Sequence, residues 1–168
     1  EIAQRIGLNV LDTPSLLKSK IGNSPYPFFA HTGAHWNSQA SCIVAEEIMS
    51  RLQGSLGKKL IHFTCEPLKV RDQPKMPDRD LSRLCNLWNE EALFHPTVYP
   101  QTERMSSGDE YKPRMLFVGS SFVWSLLRYF DHHRVFRKRE FYYYYSRSHR
   151  VPPGSFTSIK RTPIDWEK

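Results

Sequence analysis

The 168-residue chain is poor in cysteine, in long apolar runs and, over its last third, in acidic residues. Its three cysteines, Cys42, Cys65 and Cys85, have no Cys-x-x-Cys spacing, which excludes a zinc framework and a dense disulfide scaffold. One disulfide with a free thiol and three buried thiols are both compatible with that count. No apolar run approaches the length of about 18 residues that a transmembrane helix needs. No basic stretch leads into an apolar segment and a cleavage site, so no signal peptide is expected within these residues. No segment repeats.

What is present is one core's worth of apolar material. Hydrophobic residues make up 39% and aromatics 13% of the chain, too much for wholesale disorder. The length fits one domain. Charge is uneven. Residues 1–100 carry 11 Lys and Arg against 10 Asp and Glu, whereas residues 101–168 carry 13 against 7. The densest part is 134–150, where six basic residues face only Glu140. Such a segment attracts polyanions, although a solvated basic face is the plainer reading. Phe141 and the tyrosines after it offer stacking surfaces for bases, but equally read as a buried strand. No nucleic-acid module pattern accompanies them.

Periodicity organises the rest. Leu8, Val10 and Leu11 read as a short strand ending at Asp12. Thr13-Pro14 opens a helix that Gly22 stops. Asn37 or Ser38 caps a helix running to about Leu52, with Gly54 and Gly57 ending it. Residues 60–63 suggest a strand, and Asp78 or Asp80 starts a helix carrying Leu81, Leu84, Cys85 and Trp88. The polar stretch 97–112 reads as a loop. Met115-Leu-Phe-Val118 reads as a strand buried on both faces, and Gly119-Ser120-Ser121 then opens a helix through Phe122, Leu126 and Phe130. His132 and His133 are expected at its exposed end. Residues 135–145 suggest a further strand, and 151–154 a loop. The alternation predicts an α/β sandwich with a mainly parallel sheet.

Two stretches carry chemistry. A serine at the carboxyl end of a buried strand, opening a helix, sits where open α/β sheets place their sites. The helix N-terminus offers N–H groups and a positive dipole for a developing oxyanion, and Gly119 permits a sharp turn. Alone, such a serine reads more simply as a helix cap. The second stretch is His31-Thr-Gly-Ala-His35-Trp36-Asn37. An imidazole there can serve a serine as base. His31 and His35 are spaced i,i+4, but Gly33 and Asn37 oppose a helix and no Glu lies between, so the zinc-protease pattern is absent.

Taken together, Gly-Ala-His35-Trp36-Asn37 before a helix, and strand-Gly119-Ser120-Ser121-Phe122-helix about 85 residues later, resemble the SGNH-hydrolase-like domain of the alginate O-acetyltransferase family. In that family an Asp-x-His-Trp motif precedes a Gly-Asp-Ser-Phe motif. The strand before the His motif, the Asp80-Leu81 helix between the motifs and the aromatic strand after the serine extend the resemblance across most of the chain. Only the His and Ser motifs are specific.

The resemblance implies a three-layer sandwich around a mainly parallel central sheet, lacking strands at both ends and weakly stable by itself. It implies that Ser121 is the nucleophile and His35 its base. An acetyl group would pass through an acyl-enzyme to a sugar hydroxyl or to water. No cofactor and no metal are implied. The implied partners are a secreted polysaccharide, an acetyl donor and a membrane O-acyltransferase, at the periplasm or cell surface. Nucleic acid is not among them. Two residues depart from the pattern: Gly33 stands where the family has its triad Asp, and Ser120 where the second motif has Asp. Losing the orienting acid costs up to roughly 10⁴-fold in the serine-protease template. Asp12 or a backbone carbonyl is the replacement the sequence suggests. Gly119 and Ser120 would line the oxyanion site. Trp36 and Asn37 would line the sugar site, or else pack in the core and cap the helix. The competing readings are a catalytically impaired relative that binds an anionic glycan through 134–150, and a basic nucleic-acid-binding module.

Overall fold

A computed structural model describes residues 5–22, 24–76, 78–143, 147–151 and 157–160. Its elements follow local chemistry. Helix α1 spans Thr13–Ile21, with Pro14 in its first turn and Lys18 and Lys20 in its last, where a cation meets the negative end of the helix dipole. Helix α2 spans Ser38–Leu56. It runs through Gly54 and stops before Gly57, whose φ of +57° is the left-handed conformation that terminates helices. Strands β1 (His62–Phe63) and β2 (Leu68–Arg71) follow, then the five-residue helix α3 (Asp80–Leu84) and a 3₁₀ turn at Glu90–Leu93. Next come β3 (Thr97–Pro100), β4 (Arg104–Met105), β5 (Arg114–Gly119), helix α4 (Phe122–His133), β6 (Lys138–Tyr143), β7 (Arg147–Val151) and β8 (Thr157–Lys160).

The chain forms two compact units, each built from two stretches of sequence. The first comprises Glu1–Ile48 and Leu68–Pro100. Here β2 and β3 pair antiparallel, from Leu68 opposite Pro100 to Arg71 opposite Thr97. Leu17, Phe28, Val44, Ala45 and Val98 are buried in it.

The second unit comprises Met49–Pro67 and Gln101–Lys168. It contains the β1–β4 antiparallel pair and a four-stranded sheet ordered β5-β6-β7-β8. Strands β5 and β6 are parallel, with Phe117 opposite Phe141, while β6–β7 and β7–β8 are antiparallel. Aromatic packing joins the sheet to α4: Phe117 lies 5.7 Å from both Phe130 and Phe136, and Trp124 meets Phe141 edge-on at 4.9 Å. A half-buried ion pair adds to this: Arg139, 3% exposed, binds Asp131 through Nε at 2.5 Å and through Nη2.

The architecture is thus mixed α/β, with several corrections to the sequence expectations. Among the described residues the sheet has one parallel pair rather than a mainly parallel arrangement. Strand β5 is covered on one face only. Met115 and Phe117 turn inward, whereas Leu116 and Val118 are 57% and 50% exposed. Residues 8–12 are irregular, not a strand, because no ladder forms along them among the described residues. Helix α3 ends at Leu84, leaving Trp88 outside it and fully exposed. The expected loop 97–112 contains β3 and β4. His133 is not at an exposed end: it is 4% exposed and stacks on Phe63 at 4.6 Å. Tyr144 and Tyr145 of the aromatic run and 152–154 of the expected loop lie outside the described residues. No helix among the described residues is long and apolar enough to cross a membrane.

Candidate functional site

The loop before α2 is held at both ends. Trp36 is half-buried and its backbone bridges Phe29. Asn37 is buried, and its Oδ1 accepts the Ala40 N–H at 2.9 Å while its Nδ2 donates to the Pro27 carbonyl at 2.7 Å. Of the two roles considered for Asn37, the amide therefore serves the capping one: it closes an open N–H of the helix and ties the incoming strand of the loop.

Between these anchors, His35 points its ring at Asp80. The two form a hydrogen bond of 2.6 Å between Nδ1 and Oδ2, with side-chain exposures of 22% and 15%. A carboxylate accepts, so Nδ1–H is the donor of this bond. The second carboxylate oxygen, Oδ1, accepts the Ala34 N–H at 2.7 Å. Each oxygen of Asp80 is thereby fixed to one residue of the His loop, and the imidazole is set in tautomer and direction.

Asp80 is brought there by its neighbours. The carbonyl of Thr32 accepts from the N–H groups of Leu81 and Ser82 at 3.0 and 3.2 Å, serving the first turn of α3 where Arg79 makes no side-chain cap. The hydroxyl of Thr32 donates to the Asp78 carbonyl at 3.0 Å. Asp80 thus supplies the contact that the sequence reading assigned to Asp12. Asp12 instead caps α1, with its carboxylate accepting from Ser15 N at 3.1 Å and Ser15 Oγ at 2.6 Å. Those bonds lower its pKa, and it is exposed. A helix start immediately after an acid is a cap signal, and capping claims the side chain locally. The missed residue had one sequence signal. A glycine at position 33 removes the acid from the His loop, so the acid must come from elsewhere in the chain.

The same loop borders a cavity of about 180 Å³ lined by Tyr26, Pro27, Ala30, His31, Asn37, His95, Pro96 and Thr97. His31 and His95 stack there with ring centres 4.1 Å apart. His31 therefore packs against an imidazole, and among the described residues no group of three or more His, Cys, Asp or Glu is placed to hold a metal.

In the second unit, the β5–α4 turn carries the expected strand-Gly-Ser-Ser-helix arrangement. A Cβ on Gly119 would fall 2.9 Å from Val123 Cγ2, so the glycine makes room for the helix that follows. Ser120 lends its carbonyl to Val123 N at 3.1 Å and Ser121 its carbonyl to Trp124 N at 3.1 Å. Ser121 occupies the cap position of α4, half-buried and at φ −57°, yet its hydroxyl makes no capping hydrogen bond. His35 and Asp80 are brought together in the first unit; Gly119, Ser120 and Ser121 share one turn in the second.

No protein-family model matches the chain, and no curated protein does. Among solved structures, the chain is similar to the O-acetyltransferase domain of Pseudomonas putida AlgJ, at 13% identity and a TM-score of 0.48, over 84% of this chain and 49% of that one. The chain spans about half the length of that neighbour.

Proposed function

We propose that this chain is a serine-type O-acetyltransferase or acetylesterase acting on a secreted polysaccharide, with Ser121 as nucleophile, His35 as base and Asp80 holding the base. The observation that carries the reading is the fixed imidazole. Asp80 receives Nδ1–H at 2.6 Å, which fixes the direction of the ring. The resemblance of the two sequence motifs supplies the serine. On this reading the mixed sheet is part of an SGNH-hydrolase-like sandwich.

The chemistry runs in two transfers. Ser121 Oγ attacks the acetyl carbon while His35 Nε2 takes the hydroxyl proton. The carbonyl oxygen becomes an oxyanion near the positive end of α4, beside Gly119 and Ser120. The donor's oxygen leaves with the proton from His35, and the acetyl group stays on Ser121. A sugar hydroxyl or water then gives its proton to His35 and takes the acetyl group, restoring the serine. Asp80 stays ionised and stabilises the imidazolium at each stage.

The same reading places the chain at the periplasm or cell surface, with a membrane O-acyltransferase as acetyl supplier. Cys42 and Cys65 are disulfide-bonded. Cys85 is free and exposed.

The test is hydrolysis of a chromogenic acetate by the parent chain, Ser121→Ala and His35→Ala, each checked for folding by circular dichroism. Turnover in the parent and its loss in both variants is the expected result. Equal rates in all three folded proteins would overturn the reading, and would turn attention to glycan binding by the basic segment.

A further inference from the structure

The structure assigns Gly33 a positioning role: its missing side chain is what lets residues 78–80 close onto the His loop and deliver Asp80 to His35. This rests on the reading of His35 as the base.

The argument is one of space. A Cβ built on Gly33 would lie 3.0 Å from the Asp78 carbonyl oxygen, 3.1 Å from its carbonyl carbon and 3.2 Å from its Cα. All three are backbone atoms, so no rotamer change relieves the contact. The surrounding bonds fix the approach from both sides. Thr32 holds the Asp78 carbonyl through its hydroxyl and the start of α3 through its own carbonyl, while Ala34 and His35 hold the two oxygens of Asp80. Residue 33 lies between bonds that join the two segments on either side of it.

An acid can serve the imidazole from position 33, within the His loop, or from position 80, across the contact. A side chain at 33 crowds the Asp78 backbone, which must give by a few tenths of an ångström and carries Asp80 with it. The glycine and the distant acid therefore form one device. Restoring an acid at 33 is not a repair of this site; it is expected to dislodge the acid already present.

The test uses the parent, Gly33→Ala, Asp80→Asn and the double variant, with Gly54→Ala as a control at a glycine whose Cβ would meet nothing within 4 Å. Two properties are read: the low-field Nδ1–H proton resonance of His35, and kcat and KM for the chromogenic acetate. Gly33→Ala must shift the 78–80 backbone by a few tenths of an ångström. It is expected to weaken the low-field resonance and to lower kcat roughly tenfold with KM unchanged. Asp80→Asn is expected to abolish the resonance and lower kcat by up to roughly 10⁴-fold. The double variant should match Asp80→Asn within about twofold, because Gly33 acts only through Asp80. An undiminished effect of Gly33→Ala on the Asp80→Asn background, or a His35 resonance unchanged by Gly33→Ala, would overturn the assignment. If Gly33→Ala does not fold, Thr32→Val serves instead, since it removes the Thr32–Asp78 bond without filling the gap and should show the same non-additivity. If no protein turns over the ester, the Proposed function fails, while the His35 resonance still decides the role of Gly33.

Discussion

Mild acid is expected to destabilise this protein through a single buried histidine. His133 is 4% exposed, stacked on Phe63 and hydrogen-bonded through Nε2 to Thr102 Oγ1 at 2.8 Å. Burial lowers its pKa from 6.5 to about 4, with the nearby charges of His132 and Arg104 adding to the effect. The sign follows from the direction of that shift. The unfolded chain takes up the proton as pH falls through about 6.5, whereas the folded chain resists until about 4. The associated stability is therefore complete above pH 6.5 and is lost progressively as pH falls through 4. A shift of this size corresponds to about 3 kcal/mol at full loss, and to about 2 kcal/mol by pH 5. Against a typical total of about 5–15 kcal/mol that is a large share. The assay is urea unfolding at pH 7.5, 6.5, 5.5 and 5.0 for the parent and His133→Gln. The variant is expected to be less stable at pH 7.5 but to lose about 2 kcal/mol less on going to pH 5. The acids with lowered pKa, Asp12, Asp109 and Glu110, titrate below this window and do not mask the difference. Parallel pH dependence in the two proteins, or a folded His133 that titrates near 6.5 by NMR, would refute the reasoning.

Asp131→Ala should destabilise by about 1.5–3 kcal/mol, because the buried Arg139 guanidinium loses a bidentate carboxylate that is itself part-exposed; thermal unfolding measures it, and a loss under about 0.5 kcal/mol would refute it. In denaturant without reductant the protein should show one reactive thiol, that of Cys85, and three after reduction. Three reactive thiols before reduction would show that the Cys42 and Cys65 thiols are not oxidised in the isolated protein.

The parts of this fold that were legible in the sequence are those decided by neighbours in the chain. Asn37 before α2, Asp12-Thr-Pro before α1 and the β5-Gly-Ser-Ser-α4 sequence each declare themselves within a few residues. Gly57 stops α2 by its own backbone preference. What escaped is decided across distance. The apolar run 115–118 suggests burial on both faces, but whether each face of a strand is covered depends on elements elsewhere, and Leu116 and Val118 are left exposed. The pair His132-His133 looks like a solvated helix end until Phe63 packs against one of them. At the candidate site, His35 and Ser121 are proposed from motifs. Asp80 was not, because 45 residues separate it from His35 and no periodicity spans such a gap.

The interleaving of the two units bears on how the chain folds as it is made. His35 and Asp80 belong to one unit, yet residues 49–67 of the other are synthesised between them. A nascent chain ending at residue 67 carries the histidine without its carboxylate, and without β2 and β3. The second unit waits in the same way, since His62 pairs with Met105 and Phe63 with Arg104. Neither unit can finish before the ribosome is well past residue 100. Closure then joins segments that are far apart in the chain, which is slow by topology. The chain therefore has no early point at which half of it can fold and protect itself, and its time of greatest exposure to aggregation and proteolysis is synthesis itself.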